Sequence, residues 1–231
     1  MKEGYNDINK NYERFWKAKS HEKVYPTEFV VRTFLANYPN LDIKKPEQGQ
    51  KILDIGFGDG RNIGFLCDLG LEVYGVEITN EIVEYAQKRL EKVGHIAKLH
   101  VGRNSHLPFK DSYFDYILAC HSCYYCDENE SFNDNMREYS RVLKKDGFVI
   151  ASIGDAGSYI FEGAEKLHDG SFRINNDPYG NRNGYRLQAF DNTEEIKCAL
   201  TENFDSFSFG SACNDYYGIN ERVFWVVCKK R

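Results

Sequence analysis

Ile52-Leu53-Asp54-Ile55-Gly56-Phe57-Gly58-Asp59-Gly60-Arg61-Asn62 is the stretch on which the reading of this 231-residue chain turns. A short apolar run enters a glycine-rich turn, the pattern of a buried strand that breaks sharply before a helix. Glycine accepts positive φ angles and has no Cβ, so the backbone here can lie close against a ligand. The helix that follows presents unpaired N–H groups at its start. A nicotinamide-type G-x-G-x-x-G fingerprint would need its third glycine at position 61, which is Arg61. Glu77 ends the next apolar run, 72–77, and a carboxylate there can accept both hydroxyls of a ribose.

Outward from this stretch, apolar runs alternate with helical patterns. Strands are expected at 52–55, 72–77, 99–101, 114–119 and 148–153. Helices are expected from Asn62 to Leu69, closed by Gly70, from Asn80 to Val93 with Gly94 beyond, and from Asn133 to Leu143. Such alternation predicts an α/β, doubly wound fold, with a mainly parallel sheet and helices on both faces. Residues 27–35 have helical spacing, and Pro39 and Pro46 punctuate a linker to the first strand. Residues 154–190 break the alternation with Gly, Asn, Asp and Tyr, as functional lids and disordered linkers do, and their aromatic content favours a lid. A last helix at 193–200 precedes strands near 207–209 and 223–227, expected to be antiparallel neighbours. The organisation is one domain over 1–231: an N-terminal helical segment (1–48), a cofactor-binding core (49–153), the lid (154–190) and a C-terminal helix with strands (191–231).

Composition narrows the function. The formal net charge is -5 with no long basic block, which argues against a nucleic-acid partner. No apolar run is long enough to span a membrane. The polar opening residues 1–7 do not read as a secretory signal, so a cytoplasmic protein is expected. Seven cysteines, an odd number, fit free thiols in a reducing compartment.

The quoted stretch resembles motif I of the class I S-adenosylmethionine-dependent methyltransferases. The likeness continues through Val76-Glu77, through Leu107-Pro108-Phe109 ahead of Phe114-Asp115, and through Arg141-Val142-Leu143-Lys144-Lys145-Asp146-Gly147-Phe148. It spans about residues 50–153. It implies a seven-stranded sheet with an antiparallel last strand, and S-adenosylmethionine as cofactor with S-adenosylhomocysteine as product. By position it implies that Gly56 and Gly58 lie against the methionine and ribose, with Asp54 near the amino group. Glu77 would bind the ribose hydroxyls and Ile78 would pack on the adenine. The family commonly has an Asp after the third strand, where this chain reads Gly102-Arg103-Asn104. Asn104 would then offer its backbone N–H or side-chain carbonyl, beside Arg103. Cys120 and His121 would border the methyl group.

Several residues carry two readings. His121 suits a general base near neutral pH, or it shapes the pocket. Tyr124 and Tyr125 line an acceptor cavity or simply pack. His168, Arg173, Arg182 and Arg186 hold an anionic acceptor, or are solvated charge. Tyr12, Trp16 and Tyr25 close over the cofactor or pack on the sheet. Cys120, Cys123 and Cys126 have metal-like spacing, but a second ligand pair is not evident, so no metal is expected. The reading is methyl transfer to an oxygen or nitrogen of a small molecule by in-line displacement. A cofactor-binding module without catalysis is the alternative. An oxidoreductase or epimerase is disfavoured by Arg61.

Overall fold

A computed structural model describes residues 9, 10, 12–14 and 24–231. The main sheet has strands β1 (Lys51–Ile55), β2 (Glu72–Glu77), β3 (Lys98–Val101), β4 (Phe114–Cys120), β6 (Leu143–Gly154), β10 (Phe204–Asp215) and β11 (Asn220–Lys230). Their order is β10-β11-β6-β4-β1-β2-β3. Neighbours from β3 to β6 pair in parallel, whereas β11 is antiparallel to both β6 and β10. The seven-stranded sheet with an antiparallel last strand is therefore as the resemblance implied. No helix among the described residues is long and apolar enough to cross a membrane.

Both faces are buried, and the strands alternate between them. Leu53, Ile55, Ile117 and Ala119 join one core, which includes Met136 and Tyr139 of helix α4 (Phe132–Val142) and Ile196 of α5 (Thr193–Leu200). Ile52, Tyr116, Leu118 and Ile150 join the other, with α1 (Glu28–Leu35), α2 (Arg61–Asp68) and α3 (Asn80–Lys92). This period of two with both sides apolar is what a sheet covered by helices demands. Helix ends obey local chemistry. Thr79 accepts from Ile82 N–H ahead of α3, and Gly94, at φ 79°, follows its end. Ser131 and Asp134 form a capping box on α4.

The chain runs outward from β1 through β2 to β3, then returns to β4 on the other side of β1. That reversal opens a crevice at the carboxyl ends of β1 and β4, the place where doubly wound sheets bind ligands. Two expectations change. The strand expected at 148–153 begins at Leu143, which pairs with Phe114; the ladder then shifts register, with Asp146 at φ 62°, before Phe148 pairs with Tyr116. Residues 154–190 are not a structureless loop. Short strands β7 (Glu165–Lys166), β8 (Phe172–Arg173) and β9 (Arg186–Leu187) join β5 (Tyr125–Cys126) in a second, antiparallel sheet, ordered β5-β9-β8-β7. Its cross-strand pairing has no counterpart in local periodicity, so the sequence pattern could not show it.

Candidate active site

The crevice holds a cleft of about 620 Å³ counting its mouth, walled by Gly56, Glu77, Ile78, Gly102–Asn104, His121, Ser122 and a set of tyrosines. The glycine loop forms one wall. Gly56 has φ 69°, and a Cβ there would sit 2.6 Å from Ser122 Cβ. Only glycine leaves the backbone exposed on this wall. Ser122 is fixed by donating to the Ile55 carbonyl at 2.5 Å.

Glu77 is 2% exposed, and its two carboxylate oxygens accept from Gly58 N–H and Ile78 N–H, both at 2.9 Å. Burial pushes its carboxyl up to about 7 against the pull of those two donors. Each oxygen keeps a further lone pair for a ligand hydroxyl. Gly58 thus acts behind the wall, as the donor that aims Glu77. Asp54 also lies under the loop rather than on the cleft wall: it is 1% exposed, and its Oδ2 has no partner. Burial, then Glu77 and Asp59, push its carboxyl well above the usual range. An orphaned buried acceptor beneath a backbone cradle, beside a backbone-aimed carboxylate, fits the amino, ribose and methionine groups of S-adenosylmethionine.

Asn104 departs from expectation. Its side-chain NH₂ donates to the Ser122 and Tyr125 carbonyls at 2.9 and 3.0 Å, while its Oδ1 accepts from Tyr139 O–H at 2.7 Å. The side-chain carbonyl is therefore committed to Tyr139, and only the backbone of Asn104 is left to face a ligand. Arg103 pairs with Asp127 at 2.8 Å on the rim.

His121 lines the cleft with its backbone in the left-handed region, at φ 56°, and its N–H donates to Ser152 Oγ at 2.8 Å. Burial lowers its pKa; Glu221 opposes this, and Arg182 and Arg61 add to it. The imidazole is thus held neutral at physiological pH and able to accept a proton. Cys120 lies beside it off the cleft wall, with its thiol pushed up to about 11 by burial. Seven free thiols are present, and no group of three metal-type side chains forms among the described residues.

Aromatic residues close the other side. Tyr12 and Tyr125 both line the cleft and both meet Tyr185 edge-on, with ring centroids at 6.2 and 5.5 Å. Tyr124 is buried behind Tyr125, and Tyr25 lies outside the cleft, 77% exposed. Trp16 lies outside the described residues. The lid arginines do not line the cleft. Arg173 pairs with Glu128, and Arg186 donates to the Glu128 and Glu130 carbonyls and pairs with Asp169. Arg182 holds the Asp177 carboxylate and donates to Tyr159 O–H at 2.6 Å. These guanidinium groups meet partners of this chain within and beside the second sheet and do not line the cleft; His168 is likewise absent from the cleft wall. Ser122, Asp127 and Tyr185 were missed. Ser122 is signalled by its place at the end of β4, but Tyr185 reaches the site only through the β5–β9 pairing.

The comparisons agree with this architecture. A family model described as a methyltransferase domain matches residues 53–151. A protein-L-isoaspartate O-methyltransferase of Thermococcus onnurineus is 42% identical over 62 residues, covering 26% of this chain and 28% of that protein. The chain therefore spans little more than a quarter of the length of that curated relative. A solved S-adenosylmethionine-dependent methyltransferase of Methanosarcina mazei superposes with TM-score 0.64 at 23% identity, covering 80% of this chain and 94% of that one. Phosphoethanolamine N-methyltransferase 2 of Haemonchus contortus, solved with S-adenosyl-L-methionine, gives TM-score 0.61 at 16% identity over 87% of this chain and 51% of that one.

Proposed function

We propose that this chain, which has the class I S-adenosylmethionine-dependent methyltransferase fold, transfers a methyl group to an oxygen or nitrogen of a small-molecule acceptor. The observation that carries this reading is the buried Glu77 carboxylate, aimed by Gly58 and Ile78 N–H groups beside the Cβ-free wall at Gly56. When bound, S-adenosylmethionine supplies an electrophilic methyl carbon on a sulfonium whose leaving thioether is neutral. Glu77 accepts from the ribose hydroxyls, and Ile78 with Gly102 flanks the adenine. Asp54 offers its unpartnered oxygen from beneath the loop toward the amino group.

The protein's remaining task is alignment. Holding acceptor and methyl carbon within reach can supply several kcal/mol without covalent help from a side chain. His121 takes the proton from a hydroxyl or ammonium acceptor at its ring nitrogen. Tyr12, Tyr125 and Tyr185 wall the aromatic side of the cleft and exclude water there. A small acceptor suits a cleft of about 620 Å³, counting its mouth, in which His121 shares the wall with Tyr12, Tyr125 and Tyr185.

Calorimetric titration with S-adenosylmethionine and S-adenosylhomocysteine, with NAD as control, tests the reading. Binding of the first two and not of NAD is expected. Binding of neither would overturn it, and binding without turnover across an acceptor panel would favour a non-catalytic module.

A further inference from the structure

We infer that Asp127 reads the base of the cofactor, a step that rests on the cofactor reading above: its carboxylate accepts from the exocyclic amino group of adenine, and Arg103 is its positioning residue. The acid common in the family after the third strand is replaced in this chain by Arg103 and Asn104. A guanidinium has donors only and cannot receive an amino group. The Asn104 side-chain carbonyl is taken by Tyr139 O–H. The acceptor for the base must therefore come from another loop.

Among the described residues, three carboxylate or amide side chains line the cleft: Glu77, Asn104 and Asp127. Glu77 serves the ribose in that reading, and Asn104 ties loops together, which leaves Asp127. Its Oδ1 accepts from Arg103 Nη1 at 2.8 Å, and no described group donates to its Oδ2. The pair is partly open, with the Arg103 and Asp127 side chains 36% and 30% exposed. Arg103 follows directly on Gly102, which flanks the adenine with Ile78, so its grip draws the carboxylate to the adenine end of the cleft.

Both partners stand on backbone that the chain itself holds. Arg103 sits in a tight turn, its N–H donating to the His106 carbonyl at 3.2 Å and its carbonyl accepting from His106 N–H at 3.0 Å. Ahead of Asp127, Cys126 is paired with Arg186 in the second sheet; beyond it, Arg186 donates to the Glu128 and Glu130 carbonyls. Adenine offers an amino group where hypoxanthine offers a carbonyl oxygen. An ionised carboxylate only accepts, so it attracts the first and repels the second.

The test titrates the full chain by calorimetry with S-adenosylhomocysteine and with S-inosylhomocysteine, its hypoxanthine counterpart. Wild type should bind the adenine form at least about tenfold more tightly. Asp127→Asn keeps the size and can turn either an oxygen or an N–H to the base, so the preference should shrink to within about threefold. Arg103→Met removes the holder and should also shrink the preference; it decides the matter if Asp127→Asn does not fold. A wild type without preference would overturn the assignment while the cofactor reading stands. So would variants that lose affinity for both ligands equally, as a bridge that only ties two loops together would. Binding of neither ligand by folded wild type would overturn the cofactor reading, and the role of Asp127 with it.

Discussion

Glu77 sits on a free-energy slope set by burial. Its carboxyl is pushed from 4.5 to about 7, so between those values the folded chain holds a proton that the unfolded chain has released. Stability from this group is present in full below pH 4.5 and is lost as pH rises to about 7, by roughly 3 kcal/mol. Urea midpoints of the ligand-free chain between pH 4 and 8 should show this fall, and Glu77→Gln should flatten it; equal slopes would refute the assignment. His121 behaves oppositely as a reagent. Its lowered pKa predicts that turnover of a hydroxyl or ammonium acceptor falls only below pH 6.5. His121→Asn, which tolerates the left-handed backbone, should lower kcat by about 10²- to 10⁴-fold while leaving cofactor affinity intact. A kcat within a few-fold of wild type would remove the base role. Both residues were legible in the sequence, because each stands at the end of a strand whose apolar run locates it. Their protonation was not, because it depends on burial.

At the scale of elements, the site is held by bonds between loops that follow different strands. Asn104, after β3, spans to Ser122 and Tyr125, after β4, and receives Tyr139 from α4. Asn135 of the same helix donates to the Cys123 and Tyr125 carbonyls, both at 2.9 Å. This explains why asparagine stands at 104. A carboxylate there has no N–H for two carbonyls and would be repelled by them. Asn104→Asp should therefore lower stability by about 1–3 kcal/mol in chemical denaturation and weaken cofactor binding. A tighter complex from that variant would mean that the position reads the ligand directly. The helices and β1 to β4 followed from periodicity and caps, with ends within a few residues, whereas β6 and β10 run five or six residues past the expected ends and β5, β7, β8 and β9 have no counterpart in the pattern. The bonds between loops did not, since their partners lie tens of residues apart.

For the whole molecule, the parallel sheet supplies a rigid floor and the second sheet a more local cover. Tyr12, Tyr125 and Tyr185 meet from three separate parts of the chain, so ligand binding should order them together. Hydrogen exchange with S-adenosylhomocysteine present should slow amides at 12–14, 56–61, 125–126 and 185–187 in concert. Protection confined to 56–61 would show that the aromatic side does not close. The sequence by itself determined the doubly wound sheet, its glycine-lined crevice and the acid at the end of β2. Those features are local: a strand buried on both faces, a turn that needs positive φ, a strand end with a carboxylate. Only the tertiary structure decided that Arg173, Arg182 and Arg186 meet Glu128, Asp177 and the Glu128 and Glu130 carbonyls off the cleft wall, and that the 154–190 segment forms a sheet on β5. Whether a guanidinium meets a ligand or a carbonyl depends on which distant groups the fold brings within hydrogen-bond reach, and no local pattern encodes that.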